Sequence, residues 1–422
     1  MDIDALYALY KQNPSVVTDT RKIKTGDIFF ALKGPSYNGN AYAKQAVELG
    51  ASYCIVDEAA DVSEKMILVD DVLSTLQQLA AHHRATFSIP FIAITGSNGK
   101  TTTKELVHAV LSVKYRTSTT VGNLNNHIGI PLTILAIKPD AEIAVIEMGA
   151  NHLHEIRGYC AYANPSHGLI TNIGKAHIEG FGGEEGVKKG KGELFDHLRK
   201  MGGTAFVYSG QQVLVELSSG IPRIISYGAD GADVIGNASK KNLLLQVIVG
   251  ESLTIQTKLT GDYNLPNVLA AVTIGRFFNV ADADIKNALE AYTPSNSRSQ
   301  LIEKDSNKII MDAYNANPSS MKAAVENFAS LTGDSKVLIL GGMAEMGTTS
   351  IDEHTSLIKL ISQHKWKQVV LVGKDYMNFP ENYLHFENSL AARDWYHQQN
   401  FEDTSILIKG SRSQQMERVL EG

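Results

Sequence analysis

Between Phe91 and Thr102 the chain reads Phe-Ile-Ala-Ile-Thr-Gly-Ser-Asn-Gly-Lys-Thr-Thr, an apolar run followed by glycines, a lysine and hydroxyls. A strand entering a glycine loop and then a helix that continues through Leu111 suits phosphate. Glycines let successive backbone N–H groups converge on phosphate oxygens, and the helix N-terminus adds positive potential. Lys100 can then reach the β- and γ-phosphates of a nucleotide, and the Thr101 hydroxyl can ligate Mg²⁺. Gly96, Ser97, Asn98, Gly99, Lys100, Thr101 and Thr102 are the candidate phosphate-binding residues. The strict pattern G-x-x-x-x-G-K-[ST] would place glycine where Ile94 stands, so an ordinary strand-to-helix turn stays open as the alternative.

Other polar residues fall at strand ends. Glu147 follows Ile143-Ala-Val-Ile146, and ligands of open parallel sheets gather at the carboxyl ends of strands, where this carboxylate could hold a metal. His177 follows the expected strand Leu169 to Ile173, although Mg²⁺ prefers oxygen and a surface or hydrogen-bonding histidine is the competing reading. Lys188, Lys189 and Lys191 sit on a helical pattern that composition alone reads as a solvated face. Asn125 and Asn126 lie in a polar stretch beside Gly129, which suits either a ligand's polar groups or a capped loop. Three later segments are polar where packing favours apolar residues: Gly261 to Asn267, Ser297 to Gln300 and Asp312 to Pro318. Asn264 and Asn267 can cap the following helix, Arg298 can form an interdomain ion pair, and Asp312 to Pro318 can be a strand exit that caps the next helix.

The elements that must position these residues alternate strand and helix. Short β segments at Ile28 to Leu32 and Tyr53 to Val56 surround a helical stretch, Ala41 to Gly50, and a helix is expected from Val72 to Thr86 before Pro90. Strands at Phe91 to Ile94, Ile143 to Ile146, Leu169 to Ile173 and Ala205 to Tyr208 alternate with helical patterns, which predicts a parallel sheet with crossover helices. Residues 234–259 alternate as antiparallel strands do, and helices are expected after Pro266 and from Ile285 to Tyr292. Pro294, Ser295, Asn296 and Ser297 mark a turn-rich boundary and a candidate hinge. Beyond it the rhythm resumes, with strands at Ile309 to Asp312, Val337 to Leu340, Val369 to Val372 and Ile406 to Ile408.

With 422 residues, the chain exceeds what one hydrophobic core usually organises. A net charge of −6 gives no excess of Lys and Arg for a phosphate-backbone footprint, so no nucleic-acid partner is expected. No apolar run approaches a membrane span, and the start, with Asp2, Asp4 and Lys11, resembles no signal peptide. Cys54 and Cys160, far apart and flanked by small or apolar residues, suit reduced core thiols and a cytoplasmic location.

In their order along the chain, these segments resemble the Mur ligase family over almost the whole length. The resemblance implies an α/β protein of three domains. A small N-terminal α/β domain (1–83) would bind a UDP-sugar precursor, a central P-loop parallel-sheet ATPase domain (84–293) would bind ATP, and a C-terminal Rossmann-like domain (294–422) would close over the nucleotide. Thr18 to Arg21, Lys24 to Asp27, Asp312 to Pro318, Leu340 to Gly347 and Lys409 to Arg412 look most like the branch acting on UDP-N-acetylmuramoyl-tripeptide and D-alanyl-D-alanine.

Carried over by motif, the resemblance implies ATP and Mg²⁺ as cofactors, with Thr101, Glu147 and His177 around the metal. Lys191, in Lys-Gly-Glu-Leu-Phe, corresponds to a lysine often carbamylated in these ligases, and would then help bind metal. Asn264 and Asn267 would lie near adenine and ribose, while Arg298 and Asp312 would meet the nucleotide from the closing domain. Thr18, Asp19, Thr20, Arg21, Asn125 and Asn126 would face the UDP-linked substrate. Lys100, Glu147, His177 and Lys191 form the implied catalytic set of a monomer without membrane insertion. The competing readings are a third-residue-adding ligase, a folylpolyglutamate synthase and an inactive nucleotide-binding scaffold. The Asp-Asn-Pro-Arg motif of the diaminopimelate-adding enzyme is absent, and folate enzymes lack a leading UDP-sugar domain. A nicotinamide dehydrogenase fails because Gly341 to Gly347 is not G-x-G-x-x-G.

Overall fold

Runs of Val, Ile and Phe become buried strands because their branched or flat side chains pack on a pleated surface. In the computed structural model, which describes residues 2–58, 63–239, 243–295, 297–377, 379 and 382–422, these strands gather into three sheets and a short hairpin, Lys33–Gly34 with Tyr37–Asn38. The first sheet is parallel, in the order Val16–Val17, Ile28–Phe30, Tyr53–Val56, Met66–Leu68. Its side chains alternate between two cores. Ile28, Phe30 and Ile55 face the helices Ile3–Gln12 and Val72–Ala85, while Phe29, Cys54 and Val56 face Ala43 and Ala46 on the helix Ala43–Glu48.

The second sheet has nine strands, with Phe91–Thr95 hydrogen-bonded between Ile143–Glu147 and His167–Ile170. Seven strands, from the edge at Thr117–Thr119 to Val234–Ala238, run parallel. Leu244–Val249 and Leu253–Thr260 complete the sheet antiparallel, as the alternation in 234–259 predicts. Phe91 and Ala93 point to one face, Ile92 and Ile94 to the other, so the strand that carries the glycine loop is buried on both sides. The third sheet has six strands, in the order Gln300–Lys304, Asn307–Asp312, Ser405–Lys409, Lys336–Gly341, Gln368–Val372, Leu384–Phe386. Only its first pair is antiparallel, and the helices divide between its two faces.

The run Leu169 to Ile173 leaves the ladder early, after Ile170. Thr171 and Asn172 turn their side chains onto the backbone of Asn98, which pulls the chain out of the sheet and toward the glycine loop. The opening helix Ile3–Gln12 and the edge strand Thr117–Thr119 were not among the expected elements. The hinge candidate Asn296 lies outside the described residues. Among the described residues, no helix is long and apolar enough to cross a membrane.

Candidate active site

The glycine loop sits where the central strand Phe91–Thr95 gives way to the helix Lys100–Ser112. Two of its residues have backbones that favour glycine: Gly96 at φ 138° and Gly99 at φ 79°. A Cβ on Gly96 would lie 2.0 Å from Thr171 Oγ1, and one on Gly99 would lie 2.7 Å from Asn267 Oδ1, so neighbouring walls also exclude a side chain. Ser97 exchanges hydrogen bonds with Gly174, its Oγ donating to the carbonyl and accepting from the N–H, both at 3.0 Å. The loop is thereby clamped by the exit of the next strand.

Lys100 Nζ folds back to donate to the carbonyls of Gly96 (2.9 Å) and Ser97 (3.3 Å). Burial pushes its pKa below the usual lysine range and the Arg298 guanidinium acts in the same direction, while Glu147 opposes them. Two cations and one carboxylate thus face the same space. Glu147 ends its strand nearly inaccessible, at 1% exposure. Its Oε1 accepts from Thr101 Oγ1 at 3.1 Å and from Asn125 Nδ2 at 2.7 Å, but its buried Oε2 has no hydrogen-bond partner. A buried carboxylate oxygen left unpaired is costly, so this one calls for a cation or donor from a ligand. Oxygen donors beside a phosphate loop suit a hard divalent ion, and Thr101 and Glu147 fit Mg²⁺. Among the described residues, no group of three or more His, Cys, Asp and Glu side chains gathers as a metal site.

A cleft of about 650 Å³ brings most of the expected residues together. Ser97 to Thr102, Asn125, Asn126, Glu147, His177, Asn264, Asn267, Arg298 and Asp312 all line it. His177, in a left-handed backbone at φ 54°, pairs through Nδ1 with Glu345 of the C-terminal domain. Asn126 Oδ1 accepts from the N–H groups of Ile128 (3.1 Å) and Gly129 (2.8 Å), which is the capped-loop reading of that stretch. The side chains of Asn264 and Asn267 make no capping bond to the helix Leu265–Phe277, contrary to that expectation; instead Asn267 Nδ2 donates to Asn264 Oδ1 at 2.8 Å, and Thr103 Oγ1 donates to Asn267 Oδ1 at 3.0 Å. They tie the helix Leu265–Phe277 to the helix that follows the phosphate loop. Among the described residues Arg298 makes no ion pair; its guanidinium stacks 3.4 Å from the ring centroid of Tyr314. Asp312 accepts from Lys409 Nζ at 2.6 Å and from the Ser299 N–H at 3.1 Å.

Gly96 and two further sets stand apart from the cleft lining. Lys191 is fully buried rather than on a solvated face, and its Nζ donates to the carbonyl of Ala150, a cleft residue, at 2.7 Å. Burial, reinforced by Lys100, lowers its pKa well below the usual lysine range. Thr18, Asp19, Thr20 and Arg21 lie in the N-terminal domain, where Arg21 grips Asp19 through Nε (2.9 Å) and Nη2 (2.8 Å). That pairing holds the Asp19 carboxyl at about 2.

Several cleft residues carry no role of their own in the sequence reading, although Tyr314, Ser299, Lys409 and Asn317 fall within segments it singles out. Tyr314, Ser299, Lys409 and Asn172 all line the cleft, and Asn317 stands behind Asn98. Lys409 had a signal, a lysine ending the apolar run Ile406 to Ile408, and it proves 2% exposed. Asn317 had one too: Asn-Pro-Ser-Ser is a helix start, and the structure forms a capping box with Ser320.

Comparison with known proteins agrees with this architecture along the chain. Residues 15–84 match the model for "Mur ligase family, catalytic domain", 94–275 "Mur ligase middle domain" and 297–412 "Mur ligase, glutamate ligase domain". The UDP-N-acetylmuramoyl-tripeptide–D-alanyl-D-alanine ligase of Bacillus subtilis is 36% identical, over 96% of this chain and 92% of its own. A crystal structure of MurF from Acinetobacter baumannii aligns with a TM-score of 0.86 at 30% identity, covering 96% of this chain and 92% of that one. MurF from Thermotoga maritima in complex with ADP aligns with a TM-score of 0.86 at 26% identity, covering 97% and 96%. With a phosphate loop, an unsatisfied buried carboxylate and a third domain converging on one cleft, and with relatives matching nearly end to end, the chain belongs to the Mur ligase family.

Proposed function

We propose that this chain is the ATP-dependent ligase that joins D-alanyl-D-alanine to UDP-N-acetylmuramoyl-tripeptide, yielding the pentapeptide precursor of peptidoglycan, ADP and phosphate. The observation that carries the chemistry is the cleft itself. Lys100, Arg298 and the glycine loop face Glu147, whose Oε2 is buried and unpaired, at the meeting point of two domains. Similarity to the Bacillus subtilis ligase over nearly the full length of both chains supports the choice of substrates.

In this reading an oxygen of the tripeptide's terminal carboxylate attacks the γ-phosphorus of ATP, and the bond to the β-phosphate oxygen breaks. ADP leaves and an acyl phosphate remains. The dipeptide amine then attacks the acyl carbon, the C–N bond forms, inorganic phosphate departs and the nitrogen loses a proton. Lys100 and Arg298 offset the charge that develops, and Asn264, Asn267 and Asp312 fix the nucleotide. Bound Mg²⁺, held by Thr101 and Glu147 with His177 nearby, would add charge neutralisation at the phosphates. Catalysis is positioning and electrostatics, with no side-chain nucleophile.

Lys191 joins the site by modification. Its depressed pKa favours the neutral amine, which can add to CO₂ and lose a proton to give a carbamate. The new carboxylate would serve as a further oxygen ligand, borne on a side chain that reaches Ala150 of the cleft wall and feels the charge of Lys100. The N-terminal domain, residues 1–83, would hold the UDP-linked substrate through Thr18 to Arg21, with Asn125 and Asn126 reaching it from the central domain, residues 84–293. Residues 294–422 would close over ATP. Free, buried Cys54 and Cys160 suit a reducing compartment, so we place the enzyme in the cytoplasm.

The test is phosphate release with ATP and Mg²⁺, omitting the UDP-linked tripeptide and D-alanyl-D-alanine in turn. A requirement for both substrates supports the reading. Turnover with the UDP-linked dipeptide and a diamino acid instead would overturn it. Lys100→Ala should abolish turnover without unfolding the protein, and a carbamylated Lys191 would make Lys191→Ala partly rescuable by short carboxylic acids.

A further inference from the structure

Asn98 sits in the middle of the phosphate loop, yet its hydrogen bonds run elsewhere. Its backbone N–H donates to Asn172 Oδ1 at 3.0 Å, and its carbonyl accepts from Thr171 Oγ1 at 2.5 Å and Asn172 Nδ2 at 3.0 Å. Its side-chain amide crosses to the C-terminal domain. Asn317 Nδ2 donates to Asn98 Oδ1 at 2.7 Å, and Asn98 Nδ2 approaches Asn317 Oδ1 at 3.5 Å. The N–H, the one backbone donor Asn98 could offer a phosphate oxygen, is thus already engaged.

Asn317 is 5% exposed and is the N-cap of the helix Pro318–Ser330, where its Oδ1 accepts from the Ser320 N–H at 3.0 Å. Two residues on, Ser319 Oγ accepts from the Lys175 N–H at 2.9 Å. The approach is close enough that a Cβ on Gly174 would fall 2.8 Å from Ser319 Oγ. Gly174 is the residue that clamps Ser97. The first turn of a C-terminal-domain helix is therefore seated on the phosphate loop and on the segment that shapes it. A partly buried hydrogen bond of this kind forms only when both partners are in place.

We infer that Asn98 is a positioning residue that fastens the phosphate loop to the C-terminal domain through Asn317, so that loop geometry and domain closure are set together. The inference rests on the nucleotide reading of the cleft. Phosphate held by the loop fixes Asn98, Asn98 holds Asn317, and the closed domain delivers Arg298 and Asp312 to the same cleft. Opening the C-terminal domain frees the Asn98 amide and loosens the loop.

The experiment separates this latch from a structural role. Asn98→Ala removes one partner. Asn317→Ser keeps a neutral capping oxygen for the Ser320 N–H, since serine caps as well as asparagine, but cannot reach Asn98. Domain closure is followed by energy transfer between dyes on Lys200→Cys and Gln398→Cys, both exposed positions, because the native cysteines are buried. We expect each single variant to require about tenfold more ATP for half-maximal closure, with its melting temperature unchanged, and the double variant to require no more than either single one. KM for ATP should rise in parallel while kcat falls less. Wild-type closure at wild-type ATP in Asn98→Ala, or a double variant whose effect is the product of the single ones, would overturn the latch. ATP that neither binds the wild-type chain nor supports turnover would instead overturn the nucleotide reading on which the latch stands.

Discussion

Where the N-terminal domain meets the central one, a single apolar core crosses the seam: Leu6, Tyr10, Leu76 and Leu79 belong to the same cluster as Phe91, Ile134, Ile156 and Leu198. Where the C-terminal domain meets the central one, the joins are polar. They include the Asn98–Asn317 amide pair, the Lys175 N–H to Ser319 Oγ bond, the Lys175–Glu353 and His177–Glu345 ion pairs, and the bonds of Ser299 to Thr260 and Asn264, while Leu243 and Tyr263 lean on the C-terminal core. Opening the first seam would expose apolar surface at roughly 25 cal/mol per Å². Opening the second exchanges protein hydrogen bonds for bonds to water, at a far smaller net cost. On this contrast the N-terminal domain is expected to travel with the central sheet as one body, and the C-terminal domain is expected to be the part that moves.

The largest effect expected from this contrast is at Leu79, which is fully buried in the shared core. Leu79→Ala should cost roughly 2–5 kcal/mol, and a urea titration should show the first two domains losing structure in one transition. A separate, earlier transition of the N-terminal domain would break the comparison. Arg84 comes next. It donates to the carbonyls of Ala163 (2.9 Å), Asn164 (3.0 Å) and Phe87 (2.9 Å), and its guanidinium lies 3.7 Å from the Phe91 ring centroid. Arg84→Ala strands these carbonyls and should cost about 3 kcal/mol in the same titration. Arg84→Lys should recover only part of it, because a point-charge ammonium cannot span the fork.

Sequence and structure agree best where the physics is local. The glycine loop was legible because a backbone at φ 79° or 138° demands glycine whatever surrounds it, and strands such as Ile143–Glu147 because a doubly buried strand reads as a continuous apolar run. The burial of Lys191 was not legible, because three lysines on a helix look alike until the fold turns one inward onto Ala150. Nor was the partner of Arg298: Tyr314 lies on the next strand's exit, and only the antiparallel pairing of Gln300–Lys304 with Asn307–Asp312 brings the two together. The family resemblance assigned roles to both residues, but the wall each stands in depends on contacts distant in sequence. The interdomain amide pair, 219 residues apart, is the extreme case.

The polar seam should respond differently. Lys175 Nζ lies 2.7 Å from Glu353 and 3.5 Å from Glu184, and these partners raise its pKa, yet its side chain is 40% exposed. Lys175→Met should change stability by less than about 1 kcal/mol, while the ATP needed for domain closure rises and becomes less sensitive to salt. A stability loss as large as that of Arg84→Ala would mean that the second seam is structural like the first.

The smallest expected effect is a null one, read by a thiol. Cys160 lies in the shared core on the helix Glu155–Ala163, and burial, with Glu193 nearby, pushes its pKa up to about 12. The thiolate is the reactive form, so at pH 8 the folded chain should resist alkylation and react only through molecules that have opened. The sign of the pH dependence follows from the same shift. Above the ordinary value near 9 the unfolded thiol loses its proton while the folded one keeps it, so this group's contribution to stability declines from about pH 9 up to about 12. Because the C-terminal domain moves without disturbing the first seam, saturating ATP should shift the energy-transfer signal and leave the folded-state opening at Cys160 unchanged. Mass spectrometry of alkylated peptides in mild urea, below the unfolding transition, measures that opening with and without nucleotide. Protection that grows several-fold with ATP under those conditions would show that the two seams are coupled, and that the N-terminal and central domains do not form the rigid body against which closure takes place.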